Sequence, residues 1–356
     1  MNHDRAKDRP ASLCEQVQAQ VCLCLTPLHV LTVAAIVSQR GLRFALGWYV
    51  CAVDTPQHRA YASRMERCCD EVRYVVESTS DGRGLKKYVR IAGRRFRLRQ
   101  EFLQHAPRNV DQAFIPSSLS DYCYVFVSAV RCRRLVTFDD GWSNVQPDSP
   151  LTQVHTRWST RLLNAMTGIS VLPERIPELS TRHFSIYSLP NHAHRVEVIS
   201  LLPAADTAAP KVDAEASMQR LSYLVGPAPE AAPAVYAAIA DLLGKVRIDG
   251  VFAHPRDTLR KINGVPYVDT SLIVEDYVFR LLVERPQAEI DVYGYESSVL
   301  LNLAHVPRVR AFTICRPGAE RAQAVAAMVS GGVLRFSLSP GSPELLLSPT
   351  GCGEKR

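Results

Sequence analysis

Two adjacent carboxylates follow a short apolar run in this chain of 356 residues. Asp139 and Asp140 come directly after Leu135–Phe138, a predicted β-strand, and Gly141 allows a sharp turn behind them. Neighbouring side chains on an extended backbone point in opposite directions, so one acid can face a cleft while the other fixes the turn. A carboxylate beside a hydroxyl in a cleft can serve as a general base. The alternative interpretation is an ordinary Asp-Gly turn.

A histidine-proline pair ends a second apolar run. Gly250–Ala253 is a predicted strand, His254 leaves it, and Pro255 is suited to be the first residue of a helix. An imidazole at a strand end can donate a proton or a hydrogen bond to a departing phosphate, and Arg256 adds positive charge. A capping or core histidine is the alternative.

A pair of serines follows a third strand. The predicted strand Ile290–Tyr293 breaks at Gly294, and Ser297 and Ser298 then begin an apolar helix predicted over Ser298–Leu303. The free N–H groups and the dipole at a helix N-terminus favour phosphate, and serine hydroxyls add donors. A plain N-cap is the alternative, because serine is a preferred capping residue.

The elements that position these residues alternate along the chain between short β-rich runs and amphipathic stretches. This alternation predicts parallel sheets with helices on both faces, with ligands at the carboxyl ends of the strands. We expect an α/β, GT-B-like fold of two doubly wound Rossmann-type domains with an interdomain cleft. The predicted divisions are an N-terminal extension (1–20), a first domain (21–201), a linker (202–218), a second domain (219–330) and a C-terminal tail (331–356).

Composition limits the class of protein. Apolar residues make up 47% and charged residues 22%, typical of a soluble globular chain with a large core. The net charge of +7 suits an anionic partner without choosing one. None of the ten cysteines forms a CxxC pair, which favours a reducing compartment over a disulfide framework or a zinc site.

The N-terminus lacks the basic-then-apolar order of a signal peptide, so we expect a cytoplasmic protein. Val21–Val37 carries no charged residue, but at about 17 residues it is at the short limit for a membrane span, and a buried strand plus helix explains it better.

Lys86–Arg99 holds seven basic residues and no acid. It could contact the anionic inner face of the inner membrane or a phosphorylated glycolipid, or be a solvated helix; no nucleic-acid motif accompanies it.

The order of the three motifs resembles the D/E-D/E-G, H-P and S-S/T motifs of bacterial sialyltransferases. The chain is most similar to glycosyltransferase family 52, the lipooligosaccharide sialyltransferase family, from about Val21 to Ile314. The similarity is carried by three segments: Leu23–Leu28, Thr137–Gly141, and Phe184–Tyr187 before Pro190-Asn191. The long N-terminal extension and Trp142 depart from the family pattern.

The resemblance implies roles for the matched residues. Asp139 or Asp140 would be the general base, with Asp139 favoured, and His254 would act on the leaving phosphate. The donor CMP would contact Ser297 and Ser298 through its phosphate and Glu275 through its ribose or base, with Gly141 and Pro255 nearby.

The implied reaction is an inverting, single-displacement transfer of sialic acid from CMP-sialic acid to a hydroxyl, expected on a terminal galactose of a lipooligosaccharide, capsule or related surface glycan. A leaving group with one phosphate needs a bridging metal ion less than a diphosphate does, and no acidic pair of the D-x-D type follows a predicted strand, so we expect neither metal nor cofactor. Two alternatives stay open: the same fold with another nucleotide-sugar donor, and a catalytically idle glycan- or membrane-binding protein. The sequence does not say whether the chain forms a homodimer.

Overall fold

The computed structural model of this chain describes residues 19–78, 84–141, 156–187, 196–202, 219–257, 259–295, 297–315 and 332–337. These residues form two parallel sheets, of seven and five strands, with helices between the strands. The first sheet contains β1 (Ala19–Cys24), β2 (Phe44–Cys51), β3 (Cys69–Val76), β4 (Val110–Pro116), β5 (Cys132–Phe138), β6 (Ser180–Ser185) and β7 (Val196–Val198). Its helices are α1 (Pro27–Arg40), α2 (Pro56–Arg64), α3 (Leu85–His105), α4 (Asp121–Ala129), α5 (Trp158–Met166) and α6 (Ile176–Leu179).

The second sheet contains β8 (Gln219–Val225), β9 (Gly250–Phe252), β10 (Ala288–Gly294), β11 (Val309–Cys315) and β12 (Leu334–Ser337), with helices α7 (Pro233–Leu243), α8 (Val274–Glu284) and α9 (Ser298–Leu303). Strand β12 lies in the segment predicted to be a C-terminal tail, where it forms an edge of this sheet. Trp142, Pro190-Asn191 and most of the predicted linker lie outside the described residues.

Strand order confirms the predicted fold class. The first sheet runs β3-β2-β1-β4-β5-β6-β7 and the second β12-β11-β10-β8-β9, and every pair of neighbours is parallel. The direction of winding reverses between β1 and β4 and between β8 and β10, which defines two doubly wound sheets. At such reversals the carboxyl ends of neighbouring strands leave a crevice open for a ligand.

Strand β1 is buried on both faces, which explains its continuous apolar sequence. Val21 and Leu23 pack into the core on the α3 and α4 side, while Cys22 and Cys24 pack into the core on the α1 and α2 side. Helix α1 then begins at once, because the Thr26 side chain caps it by accepting from the His29 N–H. The charge-free run Val21–Val37 is therefore a strand followed by a helix. No helix in the described part of the chain is long and apolar enough to cross a membrane.

The two domains meet through polar side chains at the start of α8 and through a shared apolar core. The Tyr61 hydroxyl of α2 donates to Asp276 at 2.7 Å and accepts from the Ile273 N–H at 3.1 Å. Arg64 also forms an ion pair with Asp276. These contacts fix the first turn of α8 against the first domain, beside the carboxyl ends of the second sheet.

Candidate active site

Asp139 is fully buried and accepts hydrogen bonds from the protein itself. Its Oδ2 accepts from the Ser185 hydroxyl at 2.8 Å and from the Ile186 N–H at 2.7 Å, and its Oδ1 lies 2.9 Å from His183 Nε2. The carboxylate therefore ties the end of β5 to the end of β6. The prediction that favours Asp139 as the general base disagrees with this burial, because a base must reach the acceptor hydroxyl.

Asp140 points the other way, as expected for consecutive residues of an extended chain. Its side chain is 23% exposed, and its Oδ1 lies 2.8 Å from Nε2 of His29, which is completely buried. The Leu25 N–H donates to His29 Nδ1 at 3.0 Å, so in the neutral ring the proton is on Nε2 and is donated to Asp140. One carboxylate is thus structural and the other is presented at the surface by a buried imidazole.

His29 is a site residue that the motif analysis missed. It lies in the first turn of α1, just after the apolar strand β1, and therefore at the carboxyl edge of the first sheet. The sequence did contain a signal for this residue: His29 directly follows the segment Leu23–Leu28 and is a titratable side chain in a run without charged residues. Gly141 behaves as predicted: its φ of 118° lies where side chains are strained, and it turns the chain after the acid pair.

His254 follows β9 in the second domain and is half-buried. The Arg256 N–H donates to its Nδ1 at 3.1 Å, so the neutral ring carries its proton on Nε2. Burial and then the nearby Arg256 charge lower the pKa of His254. A neutral imidazole with one N–H is a hydrogen-bond donor suited to a phosphate oxygen.

Pro255 does not begin a helix, so that prediction was wrong. Residues 254–257 form a turn in which the Asp257 N–H donates to the His254 carbonyl at 2.7 Å. The turn is favoured because the His254 ring accepts from the backbone two residues on. Glu230, which the motif analysis also missed, lies beside it and pairs with Arg256 at 2.6 Å.

Ser297 and Ser298 lie where they were predicted, after the end of β10. The Ser297 hydroxyl caps α9 by accepting from the Val299 N–H at 3.4 Å, and Ser298 is the first helical residue. Both serines are half-buried. They lie at the same carboxyl edge of the second sheet as His254, because β9 and β10 both pair with β8 and all three strands are parallel.

Glu275 is buried at the junction of the two domains. It accepts from Asn302 Nδ2 at 2.6 Å, and Asn302 Oδ1 accepts from the Tyr187 hydroxyl. Burial raises the pKa of Glu275. Glu275 as a residue is only 4% exposed in this structure, so the contact with the donor ribose or base implied by the resemblance stays a prediction.

Tyr187 shows that the two halves of the site are neighbours. Its pKa is raised by burial and then by the nearby charges of Asp139, Glu275 and Asp140. The acid pair therefore lies close to the start of α8 and to α9, whose cap is Ser297. Within the described residues no group of three or more His, Cys, Asp or Glu side chains is arranged to hold a metal ion.

A sequence model of glycosyltransferase family 52 matches residues 59–316, which is more than half of the chain. The chain belongs to glycosyltransferase family 52. It is therefore a glycosyltransferase, and the resemblance inferred from the motifs is confirmed.

Two relatives extend this family match. The chain is 26% identical over 288 residues to N-acetyllactosaminide alpha-2,3-sialyltransferase of Haemophilus influenzae, covering 81% of this chain and 89% of that protein. It is 28% identical over 284 residues to CMP-N-acetylneuraminate:beta-galactoside alpha-2,3-sialyltransferase of Pasteurella multocida, covering 79% and 86%.

The solved structures that resemble this family member are more distant. The glycosyltransferase of kitacinnamycin is 12% identical with a TM-score of 0.48, covering 92% of this chain and 88% of that one. CalG4, the calicheamicin glycosyltransferase, is 15% identical with a TM-score of 0.47, covering 90% and 86%.

Proposed function

We propose that this glycosyltransferase is a sialyltransferase that moves sialic acid from CMP-sialic acid to a galactose hydroxyl, with inversion and without a metal ion. The observation that carries the proposal is the presentation of Asp140 by buried His29, beside Tyr187 and the second domain. The names of the two bacterial relatives support the donor and an α2,3 linkage. The expected acceptor is a lipooligosaccharide, a capsule or a related surface glycan.

Asp140 is the base in this mechanism. The acceptor oxygen attacks the anomeric carbon of the donor while Asp140 takes the hydroxyl proton. His29 holds the Asp140 carboxylate in one orientation. Asp139 joins the end of β5 to the end of β6 through its contacts with His183 and Ser185. The base is thus positioned before substrate binds, which avoids reorganisation during the reaction.

His254 acts on the leaving group. As the bond between the anomeric carbon and the phosphate oxygen breaks, the electron pair goes to CMP, and His254 Nε2–H donates to the phosphate. Ser298 and Arg256 follow strands of the same sheet, and in this proposal both contact the phosphate; Ser297 caps the start of α9. A leaving group with a single phosphate needs a bridging cation less than a diphosphate does, which is the reason to expect transfer without metal.

The test is a transfer assay with CMP-sialic acid and a panel of galactose-terminated acceptors, read by mass spectrometry of the product. We expect a product heavier by one sialic acid residue, release of CMP, and no loss of rate in EDTA. Release of UDP from a UDP-sugar in place of CMP would assign another donor. Binding of CMP without turnover on any acceptor would make the chain a binding protein and overturn the proposal.

A further inference from the structure

The loop between β8 and α7, residues 226–232, lies between the two groups proposed to hold the donor phosphate. Strand β8 pairs with β9 on one side and with β10 on the other, and all three strands are parallel. The loops that follow these strands therefore emerge side by side at the carboxyl edge of the sheet. A phosphate that contacts both His254, after β9, and Ser298, after β10, must border the loop that follows β8.

This β8–α7 loop offers few hydrogen-bond donors to a phosphate. In dinucleotide-binding sheets of this kind, a pyrophosphate lies at such a turn on the backbone N–H groups that begin the next helix. Pro227, Pro229 and Pro233 carry no N–H, and Pro233 is the first residue of α7. The Gly226 N–H is already donated to the Phe252 carbonyl at 2.9 Å. A Cβ at position 226 would lie 3.0 Å from that same oxygen, so the close approach of β9 explains this glycine.

The same loop presents a carboxylate. Glu230 Oε1 lies 2.6 Å from Arg256 Nη2, and both side chains are exposed. A hydrogen bond from its own backbone, together with the charges of Arg256 and His254, lowers the pKa of Glu230, so this group is ionised at neutral pH. Glu230 in turn favours the protonated form of His254. The carboxylate is therefore within electrostatic reach of the residue proposed to contact the phosphate.

The β8–α7 loop also engages a second cation. Lys261 Nζ donates to the Pro229 carbonyl at 3.3 Å and lies 5.3 Å from the centre of the Tyr236 ring of α7. Arg256 and Lys261 thus both have partners on or next to this loop. A second phosphate placed beside the first would have to compete with Glu230 for Arg256, and it would bring like charge against that carboxylate.

We propose that Glu230 and the proline-rich β8–α7 loop restrict the donor to a nucleoside monophosphate sugar by disfavouring a second phosphate. This inference rests on the proposed function, because it takes the phosphate to lie between His254 and Ser298. One phosphate meets these two donors, whereas a second one meets a carboxylate and residues without an N–H. Such specificity comes from repulsion of the wrong ligand and not from additional contacts with the right one. Glu230 is then a specificity-determining residue that takes no part in the transfer itself.

The test is isothermal titration calorimetry of the full chain with CMP and with CDP, in EDTA, at low ionic strength and about pH 8. The two ligands share base and ribose, so the ratio of their Kd values isolates the second phosphate. We expect the wild type to bind CDP more weakly than CMP. Glu230→Gln should lower the ratio of the CDP Kd to the CMP Kd about threefold or more, because a carboxylate repels the more highly charged ligand more strongly. High salt should reduce this difference between the variant and the wild type.

The choice of pH removes one other explanation. The pKa of His254 is lowered by burial, and loss of Glu230 lowers it further, so the ring is neutral at about pH 8 in both proteins. A change in the Kd ratio therefore does not come from the protonation of His254.

Glu289→Gln is the matched control. Glu289 also forms an ion pair of 2.6 Å, with Arg220, but these residues lie near the amino ends of β10 and β8. The Kd ratio should stay that of the wild type in this variant. The inference fails if the wild type binds CDP as tightly as CMP, or if Glu230→Gln and Glu289→Gln change the ratio equally. A wild type that binds no CMP at all would overturn the proposed function itself, and the inference with it.

Discussion

His29 Nε2 lies 2.8 Å from Asp140 Oδ1, and this contact joins residues 111 positions apart in the chain. The histidine has no exposed surface, and its other ring nitrogen accepts from the Leu25 N–H. Its orientation is therefore fixed by the β1–α1 turn, and it holds the carboxylate in turn. Because His29 has no exposed surface, the role we propose for it is to position Asp140 and not to contact donor or acceptor.

Replacing His29 tests this positioning role. His29→Gln can still donate to Asp140, whereas His29→Leu cannot. We expect kcat to fall about tenfold to a hundredfold in His29→Leu and less in His29→Gln, because a misoriented base transfers the proton less often. The KM for CMP-sialic acid should stay unchanged in both, which steady-state kinetics measures. A matching loss in both variants, paralleled by a loss of folded protein in circular dichroism, would leave His29 a purely structural residue.

Asp139→Asn should destabilise the first domain. The carboxylate accepts from Ser185 and Ile186, and an amide in its place leaves a buried donor or acceptor unpaired. We expect a loss of about 2–3 kcal/mol in the free energy of unfolding, measured by urea denaturation. Asp70→Asn is the control, because Asp70 forms an exposed ion pair with Arg43, and it should cost less than about 1 kcal/mol. Equal stability of the two variants would contradict the structural role of Asp139.

The pKa of His254 should respond in opposite directions to its two charged neighbours. Arg256 disfavours the protonated ring, so Arg256→Gln should raise the pKa of His254. Glu230 favours the protonated ring, so Glu230→Gln should lower it. Titration of the ring protons by NMR measures both shifts. Shifts of the same sign in the two variants would show that the His254–Arg256–Glu230 arrangement is different in solution.

Glu275→Gln should stabilise the protein more at pH 8.5 than at pH 4.5. Burial raises the folded-state pKa of Glu275 above its unfolded value near 4.5. The stability that Glu275 contributes is therefore present below pH 4.5 and lost as the pH rises through its raised pKa. Glutamine keeps the oxygen that accepts from Asn302 without the charge. Thermal unfolding at the two pH values measures the difference.

The same variant separates the structural role of Glu275 from donor binding. A residue at the domain junction should leave the KM for CMP-sialic acid unchanged when it is replaced by glutamine. A large increase in that KM, with no change in stability at either pH, would restore the ribose contact implied by the family resemblance.

The sequence predicted the elements that depend on local patterns. The strand at β1 and the helix at α1 follow from an apolar run, a Thr-Pro start and Gly41 in the left-handed region at the end. The sites after β5, β9 and β10 follow from polar residues placed at the ends of apolar runs. Because the strands of each sheet are parallel, their carboxyl ends meet at one edge of that sheet. The three motifs lie at the carboxyl edges of their sheets, as expected.

The sequence could not predict what depends on pairing across the fold. Asp139 and Asp140 have the same chemistry in the sequence, and only the position of β6 shows that Asp139 is covered by Ser185 and Ile186. The resemblance implies a ribose or base contact for Glu275, and only the fold shows that it is buried against Asn302, which also contacts Tyr187 of the first domain. The helix predicted from Pro255 is replaced by a turn because the His254 ring accepts the Arg256 N–H.

The most direct test of the central claim is the turnover rate of Asp140→Asn with saturating CMP-sialic acid and a galactose-terminated acceptor. If Asp140 is the base, kcat falls about a hundredfold or more while the folded fraction stays that of the wild type. Wild-type turnover by Asp140→Asn would contradict the assignment and return the role of base to another carboxylate.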